Sequence, residues 1–373
     1  MLRALLSLLA LFVPGTVAFA QGHTDTQIVL GQSVALTGPA EELGKDMQLG
    51  ASLYFSQVNA KGGVNGRRIV LKTLDDGYEP PRAADNTKKL INEEKVFALF
   101  GYVGTPTAQA SLPIFTAAKV PFVGAFTGAE LLRSPFNRYV FNVRASYFDE
   151  TEAIIQHLTA MSVNRIAVFY QNDAYGQAGL AGVERALKKR SLELVTKGTV
   201  ERNTVDVAKS VADIRKANPQ AVVMISAYKS CAAFIKEMKK AGANPTFWNV
   251  SFVGSKALAK ELDREGRGVQ ISQVVPFPWD TSVPVVKEYR ALLAETKVEP
   301  GYGTLEGFIA AKVMVEGLRR AGKNLTRDSF IKAMESLDPY DTGGFKVSYS
   351  GDNHNGSRFV DLTIISRDQK FVR

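Results

Sequence analysis

Short runs of β-branched and other apolar residues recur along the chain at 28–31, 69–74, 96–100, 165–170, 193–199 and 221–225. Each gives way to a longer segment whose apolar positions fall at helical spacing, at 46–59, 80–92, 105–119, 175–189, 206–217 and 230–241. The short runs are continuously apolar, which suits strands buried on both faces, and alternation of strand and helix over a whole chain predicts parallel sheets covered by helices. The rhythm restarts. One set ends near Arg144 and a second runs from Tyr147 to about Gly268. Beyond Val269 the helical segments 283–294 and 304–321 have no strand series of their own, so they are expected to cover the first sheet. That requires the chain to pass between two bodies more than once. The extended stretch Val274-Val275-Pro276-Phe277-Pro278-Trp279 reads as one such crossing.

Composition narrows this picture. The 373 residues are 45% hydrophobic and 22% charged, ordinary for a globular chain and too long for one compact domain. Forty-six basic against 37 acidic residues give +9, but the lysines and arginines are dispersed, so no nucleic-acid footprint is drawn. Cys231 is the one cysteine, which excludes a disulfide framework and multi-cysteine metal centres, and the three histidines (His23, His157, His354) are widely scattered. No metal or cofactor is predicted. Cys231 is expected to be a small buried helical residue, with a reactive thiol as the alternative. At the start, Met1-Leu2-Arg3, an apolar run from Ala4 to Val13, Pro14-Gly15 and Ala18-Phe19-Ala20 form the three parts of an export signal, with cleavage expected after Ala20. No cysteine follows that point, so a lipid anchor is not expected there.

Catalytic patterns are missing. The chain has no G-x-S-x-G elbow, no G-x-x-x-x-G-K-[ST] phosphate loop and no H-E-x-x-H. Gly62-Gly63-Val64-Asn65-Gly66 lies between helix and strand, the wrong order for dinucleotide binding, and is expected to be a turn. No enzymatic activity is predicted. One constellation does suggest binding chemistry. Gly101-Tyr102-Val103-Gly104-Thr105-Pro106-Thr107 follows an apolar strand and opens a helix, where Thr105 is expected to cap and Pro106 to suit the first turn. Exposed N–H groups there favour an anion. The next strand delivers Ala125-Phe126-Thr127-Gly128 to the same edge, making a rim suited to a small carboxylate. The alternative is that both threonines only cap helices.

Ser33-Val34-Ala35-Leu36-Thr37-Gly38-Pro39, Gly44, Asn59-Ala60-Lys61-Gly62-Gly63-Val64-Asn65-Gly66, Asp75-Asp76, the Gly101 loop and Asp173-Ala174-Tyr175-Gly176, taken in order, resemble type I periplasmic binding proteins of ABC importers, in the branched-chain amino-acid (Leu/Ile/Val) group. The resemblance spans essentially everything after residue 20. It implies two Rossmann-like α/β lobes, 21–144 plus 273–343 and 145–272 plus 344–373, joined by a three-crossover hinge with the ligand clamped between them. It places the ligand carboxylate on Thr105, Ala125 and Thr127, with Tyr102 in the same loop, and brings Tyr175 and Tyr228 from the other lobe, although a core role for either tyrosine stays open. It also implies a monomer in the periplasm that serves an inner-membrane permease and its ATPase.

The chain departs from the family pattern in places. The family's amino-acid binders usually pair the ligand ammonium with a carboxylate at the position of Ser251. Either another acid such as Glu306 substitutes, or the ligand is an amine-free aromatic or aliphatic carboxylate or an amide. Tyr78 and Gly104 stand where some relatives carry a cysteine bridge, and Leu43 stands where some have an aromatic residue. A sensor acting through a signalling receptor is the other reading of the same scaffold.

Overall fold

The computed structural model describes residues 22–373, so the expected export signal lies outside the described residues. Five parallel strands build the first sheet: β1 (Gln27–Val34), β2 (Arg68–Asp75), β3 (Ala98–Phe100), β4 (Phe122–Val123) and β5 (Val140–Phe141), in the order β2-β1-β3-β4-β5. Helices α1 (Glu41–Ala60), α2 (Pro80–Asn92) and α3 (Thr105–Ala117) alternate with them. The glycine cluster 62–66 is a turn, with Gly62, Gly63, Asn65 and Gly66 all at positive φ.

The second series runs α4 (Tyr147–Ala160), β6 (Ile166–Gln171), α5 (Ala174–Lys188), β7 (Thr196–Val200), α6 (Ala208–Ala217), β8 (Ala221–Ile225), α7 (Tyr228–Lys240), β9 (Thr246–Asn249), α8 (Ser255–Leu262) and β10 (Gln270–Gln273). The chain then continues through α9 (Pro284–Leu293), α10 (Tyr302–Ala321), α11 (Arg327–Glu335), a small hairpin of β11 (Tyr340–Asp341) and β12 (Lys346–Val347), and ends with β13 (Asp361–Ile365) and β14 (Phe371–Val372). The second sheet has the order β14-β13-β10-β9-β8-β6-β7. Its last two strands differ from the all-parallel expectation: β13 runs antiparallel to β10, and β14 antiparallel to β13. Only a short loop, 366–370, joins β13 to β14, a connection that suits antiparallel neighbours.

The late helices do cover the first sheet. Helix α10 lies along α1, and the approach is close enough that a β-carbon at Gly50 would fall 1.9 Å from the Thr304 carbonyl oxygen. Only a residue without one lets the two backbones meet. Strand β10 therefore belongs to one sheet and α10, after the crossing at Val274–Val275, packs on the other body. Cys231 is fully buried in α7, with its thiol pushed up by burial.

Candidate functional site

The ends of β3 and β4 set down two loops side by side, tied by a main-chain bond from Phe126 N–H to the Tyr102 carbonyl at 2.7 Å. Gly104, at φ +105°, takes the cap position of α3, so Thr105 does not cap as expected but sits in the first turn. Its hydroxyl is left free to meet the Thr127 hydroxyl at 2.6 Å, and Thr127 in turn donates to the Tyr147 hydroxyl at 3.3 Å. Both threonines are fully buried, and Ala125 lies two residues before Thr127 with its carbonyl accepting the Thr127 N–H. Thr105, Ala125 and Thr127 thus converge. Tyr102 does not join them. Its ring packs edge-on against Phe122 and its hydroxyl meets Thr87 Oγ1 at 3.1 Å, inside the core between the sheet and its helices. The strand pleat turns this residue to the opposite side from the threonines.

From the second body, Asp173 caps α5 by accepting the Tyr175 N–H at 2.9 Å and fixes the tyrosine at the helix start. The Tyr175 ring lies 5.4 Å from that of Tyr147 and 4.6 Å from Phe252. Its hydroxyl is buried without a partner among the described residues, a cost that a ligand oxygen would relieve. Tyr228 begins α7 and is placed differently. It packs beside Gly254, where that loop meets Leu43 of α1, and burial pushes its hydroxyl up to about 12. Tyr78 and Gly104 are neighbours, since a β-carbon on Gly104 would fall 2.3 Å from the Tyr78 ring. Phe252 reaches across the cleft to Phe126 at 5.6 Å and Tyr78 at 5.9 Å, so four aromatic rings from both bodies enclose the threonine pair.

At Ser251 the structure brings together a charge cluster of which sequence reasoning named Ser251 and Glu306 but missed Arg144, Glu150 and Ser272. Glu150 of α4 accepts the Ser251 N–H at 2.8 Å, the Ser251 hydroxyl at 3.1 Å and the Ser272 hydroxyl at 2.6 Å. Arg144 lies against this group, at 2.9 Å from Glu150 and 3.3 Å from Glu306, with one guanidinium nitrogen in contact with Ser251 Oγ. Arg144 and Glu150 are 1% and 0% exposed. Burial opposes the charged guanidinium, but Glu306 and Glu150 outweigh it and hold Arg144 above its ordinary pKa. Burial raises Glu306 to about 7 against the pull of Arg144, so that carboxyl is about half-protonated near neutral pH. The guanidinium also lies 5.2 Å from the Phe126 ring centroid and 5.8 Å from that of Tyr147, a cation–π arrangement facing the aromatic enclosure. No spacing in the sequence announces this cluster. Only the Ser146–Asp149 capping box that starts α4, and so aims Glu150 inward, was legible in principle.

The remaining space between the bodies is a cavity of about 10 Å³, bounded by Leu43, Asp46, Phe126, Ser251, Tyr302 and Glu306 among others. That is room for a single water, so a solute requires the bodies to part. Contacts that close them lie at the rim. Gln171 Nε2 donates to the Tyr78 hydroxyl at 3.2 Å, and Arg202 bridges Glu79 at 3.0 Å and Asp173 at 3.2 Å. Among the described residues no cluster of three or more His, Cys, Asp or Glu side chains is arranged to hold a metal ion.

Residues 27–370 match the periplasmic binding protein family. The chain belongs to that family. Among curated relatives, this binding protein is 27% identical over 357 residues to Leu/Ile/Val-binding protein homolog 7 of Brucella abortus, covering 89% of this chain and 88% of the relative. The solved structure of a possible leucine/isoleucine/valine-binding protein from Rhodopirellula baltica superposes with a TM-score of 0.88 at 34% identity, over 95% of this chain and 98% of that one. A solute-binding protein from R. palustris in complex with benzoate shares the binding-protein fold at a TM-score of 0.82 and 21% identity, over 93% and 95% of the two chains.

Proposed function

We propose that this protein is the periplasmic solute-binding component of an ABC importer, exported by a signal cleaved after Ala20, and that it takes a small carboxylate without an α-ammonium. The solute would be clamped by hinge closure between the lobes 21–144 plus 273–343 and 145–272 plus 344–373, then passed to an inner-membrane permease and its ATPase. The carboxylate would lie on the Thr105 and Thr127 hydroxyls beside Ala125, with the Tyr175 hydroxyl completing the seat from the other lobe.

The observation that carries the reading is the Arg144 guanidinium against Ser251. At the corner where amino-acid binders of this type are expected to meet the ligand ammonium with an acid, this chain supplies a cation of its own, and Glu150 is already committed to it. A ligand ammonium brought there would be buried beside a like charge, with Glu150 bonded to that charge and Glu306 already facing it, at a cost of roughly 3–5 kcal/mol. That is a factor of about 150 to several thousand in affinity. The names of the relatives favour leucine, isoleucine or valine, while the benzoate held by the R. palustris protein is of the amine-free type. The aromatic enclosure of Phe126, Tyr147, Tyr175 and Phe252 suits the latter equally well. Titration calorimetry on unfolded, ligand-stripped and refolded mature protein decides between them. Benzoate or a branched aliphatic acid is expected to bind about a hundredfold more tightly than leucine. Tighter binding of leucine would refute the reading.

A further inference from the structure

The cavity beyond the threonine pair is not apolar at its far side. Asp46 lies there on α1, half-buried, and no hydrogen bond or ion pair reaches its carboxylate among the described residues. It approaches the start of α10 so closely that a β-carbon at Gly303 would fall 2.9 Å from Asp46 Oδ2. Glu306 borders the same space, with only long contacts of 3.3 and 3.5 Å to Arg144. Tyr302, 6% exposed, lines it as well, and its hydroxyl is buried near Thr363 with no hydrogen bond of ordinary geometry among the described residues. Gln273 and Ser255 complete the polar side, bonded to each other at 3.0 Å. Phe126 and Ser251 border both this cavity and the enclosure around the threonines, so one solute can reach both ends.

Resting on the carboxylate reading above, we propose that Asp46, Glu306 and Tyr302 form a distal subsite that receives a hydroxyl group carried at the end of the solute remote from its carboxylate. A hydroxyl can donate to a carboxylate oxygen and accept from the Tyr302 hydroxyl at once, which satisfies two groups that the protein leaves without partners. An ammonium fits less well, because each acid already has a cation in its neighbourhood: Lys256 for Asp46 and Arg144 for Glu306. Burial raises both acids to about 7, which also favours a neutral partner over a charged one. A solute ending in a plain methyl or phenyl edge would bury these groups unsatisfied.

The test compares benzoate, para-hydroxybenzoate and para-(aminomethyl)benzoate by calorimetry on the refolded mature chain and on Asp46→Asn. The hydroxylated acid is expected to bind the natural chain about ten- to a hundredfold more tightly than benzoate, as a hydrogen bond to a charged acceptor allows. Asp46→Asn is expected to reduce that ratio at least several-fold. Equal affinities for benzoate and its hydroxyl derivative in the natural chain overturn the subsite while leaving the carboxylate reading standing. So does tighter binding of the ammonium compound, or a ratio that Asp46→Asn leaves unchanged. Binding of none of the three acids alongside binding of leucine overturns both. The comparison within the natural chain decides the matter even where the variant fails to fold.

Discussion

Glu306→Gln tests whether the charge cluster beside Ser251 is electrically balanced. Glu306 is 5% exposed, and burial, only partly opposed by Arg144, raises its carboxyl from 4.5 to about 7. The native protein therefore keeps a proton that the unfolded chain gives up between those two values. The stability associated with that proton is full below about pH 4.5 and is lost as the pH rises to about 7, a total of about 3 kcal/mol at ~1.4 kcal/mol per pH unit. Glutamine cannot titrate. Urea unfolding of the two proteins across about pH 4.5 to 8 should show the stability of Glu306→Gln relative to the natural chain rising by about 3 kcal/mol over that window and then levelling. The half-buried Asp46 and the buried Asp76, raised to about 7 and about 6, slope the same way, and His354, lowered by burial, slopes against them. These contributions cancel in the difference between the proteins. Any pH-independent loss of the hydrogen bond to Arg144 shifts that difference by a constant and leaves its change with pH untouched. A flat difference would refute the reasoning: Glu306 would then be ionised throughout, the cluster would carry a net negative charge, and an anionic solute beside it would be disfavoured. With the proton in place, Arg144 and Glu150 neutralise each other, and affinity for a carboxylate should weaken above about pH 7.

The rim and the aromatic enclosure give two further expectations. Arg202→Gln removes the ion pairs to Glu79 and Asp173, whose side chains are 41% and 11% exposed, so it should weaken solute binding only about two- to fivefold, with the difference from the natural chain shrinking in about 1 M salt. An effect of a hundredfold by fluorescence titration, or one insensitive to salt, would count against an electrostatic rim latch. Phe252→Ala opens space between Phe126, Tyr78 and Tyr175, and should lower thermal stability by about 3 kcal/mol while raising affinity for naphthoate relative to benzoate. Equal losses for both acids would make Phe252 a packing residue only.

The architecture was legible because it rests on local periodicity. The apolar runs at the sheet centres, seen in β3, β6 and β8, mark strands buried on both faces, whereas the edge strands β2 and β7 are partly exposed; the need of the late helices for a sheet was enough to send the chain back to the first body. Strands β10, β13 and β14 were not legible as a group: Gln270–Gln273 is polar at three of its four positions, and Asp361–Ile365 and Phe371–Val372 are too short to show a period. The site divides along the same line. Thr105 and Thr127 follow directly from strand ends, and the carboxyl ends of neighbouring parallel strands must lie together. Arg144, Glu150 and Ser272 come from a crossing, a helix start and a strand of the second sheet, and nothing local relates them. Their association is set within the second body, by α4 packing against β10 and the turn after β9. That explains why Ser251, read as a lost acid, has a different meaning in the folded protein. The carboxylate has not disappeared from that corner but arrives from α4 as Glu150, and it comes with the arginine that neutralises it. Substituting a neighbour's charge for one's own preserves the corner's polarity while removing its vacancy for an ammonium. On the carboxylate reading proposed above, Ser251 contributes by being small enough to let the guanidinium approach Glu150.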